Sequence, residues 1–194
     1  KLVNTQPFFV HFWSDMSATG KTLIVMAAAS IWGDPSLGEF TQSFNATTVA
    51  LERTAEVLNN APLVMDELQL SKDFRGNTSF DVYKLAQGQG KGRGRKTGGV
   101  ENVPQWCNTI ITTGEGTILN ENDGQGAFAR VLECEITEVL FDAVEGNRIA
   151  NIIRNNYGFG GEVIVNAYKA IGVEELNRRF SELVKDLNKD GIIQ

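Results

Sequence analysis

Two rhythms of apolar and polar residues run along this chain, and the changes between them mark its elements. From Phe8 to Trp13 aromatic and β-branched residues follow one another (FFVHFW), which reads as a strand. A loop of small and polar residues runs to Gly20. Beyond it, Lys21 to about Ile31 carries Leu23, Ile24, Val25, Met26 and Ala27 to Ala29 with almost no polar face. A helix that is apolar all round must be covered on most sides, so it is expected against a sheet with further elements beyond it. Gly33-Asp34-Pro35 ends it with residues that extend a helix poorly.

The same reading continues downstream. Phe40 to Phe44 is a short strand, and Asn45 is the expected N-cap of a helix from about Thr47 to Asn59 whose stripe is Val49, Leu51, Ala55, Val57 and Leu58. Pro62-Leu63-Val64-Met65-Asp66-Glu67 is a buried strand whose two acids emerge at its C-terminal edge, where open α/β sheets place their ligands. Thr78 or Ser79 caps a helix through about Gln87. Trp106 to Thr113 and Phe128 to Ile136 are strands, and helices follow over 147–156, 160–170 and 174–188. The last carries Leu176, Phe180, Leu183, Val184 and Leu187 on one face, as core packing or a lid. The expected fold is α/β, a largely parallel sheet flanked by helices. Residues 1–140 form the core and 141–194 a helical C-terminal extension packed on it, as one domain. The nearness of Lys1 to the first strand suggests a piece of a larger protein, and no repeat, low-complexity tract or linker divides the 194 residues.

Composition changes this picture little. Hydrophobic residues at 42% and charged residues at 22% are ordinary for a globular chain. A net charge of −6 excludes nucleic-acid binding over the whole surface, so any such binding must be local. Cys107 and Cys134 lack metal-ligand spacing and read as reduced core thiols. No signal peptide opens the chain and no apolar run reaches the roughly 20 residues of a membrane span, which points to the cytoplasm.

The candidate chemistry begins in the first loop. Thr19-Gly20-Lys21-Thr22 stands between a strand and a helix, where free backbone N–H groups face an anion and a lysine supplies a point charge. Ser17, Ala18, Thr19, Gly20, Lys21 and Thr22 are the expected phosphate-binding residues, and the Thr22 hydroxyl is a Mg²⁺ ligand. A lone G-K-T is more often an ordinary loop, and the usual pattern G-x-x-x-x-G-K-[ST] has Asp15 here in its first glycine position. The acids give the loop its weight: Asp66 can hold Mg²⁺ and Glu67 can polarise the attacking water, although a strand running into a polar turn would look the same. Thr112 and Thr113, at the end of the next strand, could sense the terminal phosphate or simply end the strand. Arg130 could neutralise phosphoryl charge in its own subunit or across an interface, or serve as a surface salt-bridge partner. Lys91, Arg93, Arg95 and Lys96, spaced by glycines in GKGRGRKTGG, form a basic loop or hairpin able to follow a phosphate backbone, a solvated loop with no partner, or a loop whose arginine reaches into a neighbouring subunit's active site.

The ordered segments SATGKT, AAASIWGDP, SFNATTVALE, PLVMDE, YKLAQGQGKGRG and TTGE resemble the family named domain of unknown function 927, helicase-like P-loop ATPases of phage and plasmid replication and mobile elements. The likeness runs from about Phe9 to Glu135. It implies a P-loop NTPase core of RecA or AAA type, with phosphate binding at Gly20, Lys21 and Thr22 and the magnesium and water-activating roles at Asp66 and Glu67. The family's phosphate loop usually opens with glycine, from which Asp15 departs. The combined expectation is Mg²⁺-dependent ATP hydrolysis coupled to translocation on, or unwinding of, nucleic acid. ATP and Mg²⁺ are the implied cofactors, with single-stranded or duplex DNA as partner and a homo-oligomer, ring-shaped in one version. The alternatives are a decayed nucleotide-binding scaffold and a phosphotransferase, for which no acceptor signature is visible.

Overall fold

In the computed structural model, which describes residues 5–68, 82–92, 102–119 and 123–189, the first apolar run is an inner strand. β1 (Phe8–Trp13) lies between β4 (Thr109–Gly114) and β5 (Val131–Glu135). On the far side of β4 come β3 (Leu63–Asp66) and β2 (Thr41–Ser43), giving the order β2-β3-β4-β1-β5 with every pairing parallel. Parallel neighbours require crossovers, and α1 (Lys21–Ser30), α2 (Thr48–Leu58), α3 (Val82–Ala86) and α4 (Gln125–Phe128) lie in them. This is a P-loop NTPase-like α/β fold with a helical C-terminal part. The insertion of β4 between β1 and β3 matters for function, because the end of β4 then stands between the first loop and the acid pair.

Side-chain period two sorts each strand between two cores. Phe9, Ile110, Leu63 and Met65 face one side, where Leu51 and Ala55 of α2, Leu85 of α3 and Trp106 complete the larger core. Val64 and Ile111 face the other, beneath Val25 and Ala29 of α1. The far side of α1 meets α5 (Ala143–Asn155), so this all-apolar helix is covered as its pattern requires.

α6 (Phe159–Ile171) and α7 (Val173–Lys189) complete the chain. The helical part is fastened to both ends of α1. Leu140 N donates to Thr19 O at 3.1 Å, and Gly158 N and Gly161 N donate to Ser30 O and Ile31 O, each at 2.7 Å. α5 therefore runs beside α1 in the same direction. α7 pairs charge along its exposed side through Arg178 with Glu175 and Glu182, and its Leu183 remains 58% exposed. Among the described residues no helix is long and apolar enough to cross a membrane.

Several local expectations shift. The cap of α2 is Thr47, whose hydroxyl accepts Ala50 N at 3.2 Å, and Asn45 sits in the preceding turn. Only part of the expected stripe faces inward, since Val57 is 83% exposed. Phe128 belongs to the short α4, so β5 starts at Val131. α5 starts four residues before Asn147, at Ala143, because Asp142 caps it. The thiols are free but only partly buried, and Cys107 lies before β4, donating to Thr5 O at 2.9 Å. Thr78 and Ser79 lie outside the described residues.

Candidate functional site

The loop after β1 sits at the C-terminal edge of the sheet, tied there by Ser14 N donating to Gly114 O. It turns into α1 through Gly20, whose φ of +102° only glycine adopts freely. A Cβ at Gly20 would also press on the Phe141 ring at 3.1 Å. No side chain caps α1. Its first i→i−4 bond is Ile24 N to Gly20 O, so the N–H groups of Lys21, Thr22 and Leu23 have no acceptor within the helix and make an anion-binding end. Lys21 Nζ lies across the loop, donating to Ser14 O at 3.1 Å and Met16 O at 2.8 Å. Asp15, in the first glycine position, is exposed and is not among the positive-φ residues; the left-handed turn falls instead on Ala18, at φ +57°. Ser17 and Ala18 are exposed on this loop, whereas Thr19 is buried with an unpartnered hydroxyl.

Opposite the loop, β3 delivers its acids. Asp66 Oδ1 accepts from Thr22 Oγ1 at 3.4 Å and also from Thr113 Oγ1. Thr113 Oγ1 in turn accepts Glu67 N at 3.0 Å. Glu67 is exposed and its backbone is left-handed at φ +65°, which costs a non-glycine residue roughly 1–2 kcal/mol. Strain of this kind persists where surrounding structure imposes it, and here the Thr113 hydroxyl holds the strained N–H. Lys21, Thr22, Asp66, Glu67 and Thr113 thus gather from the start of α1 and the ends of β3 and β4 around one edge. The Thr22 hydroxyl and Asp66 carboxylate are two hard oxygens 3.4 Å apart. That donor set fits a small divalent ion, which keeps several waters and shares substrate oxygens.

Other expected residues stand apart. Thr112 is fully buried on the opposite face of β4, its hydroxyl 2.8 Å from His11 Nδ1; the alternation of the strand turns it away from Asp66. Arg130 precedes β5 at the N-terminal edge, a full strand length from the loop, where it donates to Gln6 Oε1 and Gly126 O. This position removes the reading in which Arg130 serves its own subunit's phosphate. Lys91 is exposed just past a root in which Gly90 N donates to Pro104 O and Trp106 N to Gly88 O, also at the end of the sheet where strands begin. Arg93, Arg95 and Lys96 lie outside the described residues.

With this geometry in view, the family described as Domain of unknown function (DUF927) matches residues 1–105. The chain belongs to the DUF927 family. The match stops short of Glu135, so the TTGE segment lies beyond it. No curated protein matches the chain. Among solved structures, one described as "SCCmec type IV Cch - active helicase" superposes with a TM-score of 0.70 at 25% identity, over 95% of this chain and 33% of that one. The DUF927 chain therefore spans about a third of the length of that helicase.

Sequence reasoning passed over His11 and Glu133 of this DUF927 chain. His11 Nε2 lies 2.9 Å from Gly116 O, and Glu133 Oε1 accepts Ile118 N at 2.7 Å and Leu119 N at 3.3 Å. Burial holds the imidazole pKa below its ordinary value, against smaller upward pulls from the Gly116 carbonyl and the Glu133 charge. The available signal was a single histidine inside an otherwise apolar strand.

Proposed function

We propose that this chain is the nucleotide-hydrolysing core of a nucleic-acid-remodelling enzyme, with ATP as substrate. The observation that carries the proposal is the approach of the Thr22 hydroxyl to the Asp66 carboxylate at 3.4 Å, across 44 positions of sequence, at a helix start that also presents Lys21. The free N–H groups of the first turn of α1 take the inner phosphates. Lys21 Nζ exchanges its two loop carbonyls for phosphate oxygens, a swap of neutral for charged acceptors that favours the bound state. Thr22 and Asp66 hold Mg²⁺, which when bound neutralises phosphate charge. Glu67, exposed and aimed from a strained backbone, accepts the proton of the attacking water, and Thr113 keeps both acids in place. The DUF927 match and the helicase likeness support coupling to DNA, and the basic loop of Lys91, Arg93, Arg95 and Lys96 offers the contact. In a homo-oligomer, Arg130, which lies far from its own loop, serves a neighbouring copy's phosphate.

Phosphate release from ATP, measured with and without single-stranded DNA, tests this. Lys21→Ala abolishes turnover and nucleotide binding. Glu67→Gln keeps binding and lowers turnover about 100-fold or more. Full activity in either variant refutes the assignment, and ATP binding without phosphate release in the unaltered protein converts it to a scaffold.

A further inference from the structure

The buried imidazole of His11 has an expensive position. Phe9, two residues earlier on the same face, shows that an apolar ring suits this layer, whereas a polar ring in it must satisfy both nitrogens or lose stability. Both are satisfied. A carbonyl only accepts, so the 2.9 Å contact to Gly116 O puts the proton on Nε2, leaving Nδ1 to accept the Thr112 hydroxyl at 2.8 Å. In the register of the sheet His11 stands directly beside Thr112 on β4 and Glu133 on β5. Three polar side chains therefore form one row across three adjacent strands. Two of them, His11 and Glu133, hold the turn of residues 115–119 against the sheet by its backbone. The end of β4 itself lies close against the imidazole, since a Cβ at Gly114 would stand 3.0 Å from His11 Cε1.

The other face of the same strand end carries Thr113, bonded to Asp66 and to Glu67 N. Residues 112, 113 and 114 are consecutive, so any twist of the end of β4 that frees Thr112 rotates Thr113 away from the acids. We infer that His11 is a positioning residue of the hydrolytic site, locking the end of β4 from behind through Thr112 and Gly116 so that Thr113 stays aligned with Asp66 and Glu67. This rests on the ATPase reading above.

Steady-state ATPase kinetics and melting temperatures of the unaltered protein, Lys21→Ala, His11→Leu, His11→Gln and Thr112→Val test it. His11→Leu and Thr112→Val lower kcat about tenfold or more while KM for ATP stays within about twofold, because alignment and not ground-state binding is lost. His11→Gln, whose amide offers both an acceptor and a donor, recovers most of kcat, whereas a purely structural role would follow the melting temperature alone. A folded His11→Leu with kcat within about twofold of the unaltered protein, or one that raises KM without changing kcat, overturns the inference. Should His11→Leu fail to fold, Thr112→Val decides by the same criteria. Turnover above the Lys21→Ala background with both variants unaffected sinks this inference alone; no turnover above that background sinks the ATPase reading and this inference together.

Discussion

Glu67 shows how much of the site is decided within single residues. Its left-handed backbone, at φ +65°, is held by the hydrogen bond from its N–H to Thr113. The arrangement sets an exposed carboxylate just past the buried end of β3. Glycine would adopt the same backbone without the steric penalty, offset in part by the greater chain entropy it gives the unfolded state. Glu67→Gly is therefore expected to raise stability by up to about 1 kcal/mol while removing the carboxylate proposed to activate water. Thermal melting and phosphate release read the two effects separately, and Glu67→Gln supplies the control that loses the charge but keeps the strain. A Glu67→Gly protein that melts lower than the unaltered one contradicts this account of the backbone. The alternation at Thr112 and Thr113 is the other residue-scale decision. Adjacent threonines with one chemistry take different partners, His11 and Asp66, because they point to opposite faces.

At the scale of elements, α1 organises its surroundings. Its start presents free N–H groups to the site, its flank lies on β3 and β4, and its other flank takes α5. α5 in turn begins where Asp142 Oδ1 accepts Val144 N at 2.9 Å and Glu145 N at 2.8 Å. The sequence Asp142-Ala143-Val144-Glu145 has the spacing of a capping box, a signal that sets the helix start ahead of Asn147. Asp142→Ala should cost about 1 kcal/mol in chemical denaturation, with Asp142→Asn close to the unaltered protein. Since Leu140 and Phe141 just before this cap pack beside Thr19 and Gly20, loosening it should also weaken nucleotide binding. Loss of stability without any change in ATP affinity would mean that the helical part is only attached to the loop, not coupled to it.

Over the whole molecule the sheet separates two kinds of surface: the loop and acids at the edge where strands end, the basic-loop root and Arg130 at the edge where they begin. In an acidic chain of net charge −6, DNA binding must come from a local cluster. Replacing Lys91, Arg93, Arg95 and Lys96 with alanine is expected to weaken single-stranded DNA binding and to flatten its log–log salt dependence by about 0.7 for each phosphate that is no longer neutralised. An unchanged salt slope would make this a plain surface loop. The sequence by itself determined the α/β character, the strand-loop-helix opening and the acid-tipped β3, because these depend on local propensity and on patterns a few residues long. It did not determine that β4 lies between β1 and β3, that Thr113 and not Thr112 meets Asp66, or that Arg130 stands a strand length from its own loop. Those follow from strand order and register, which are set by how whole faces pack together and leave no signature in any short stretch.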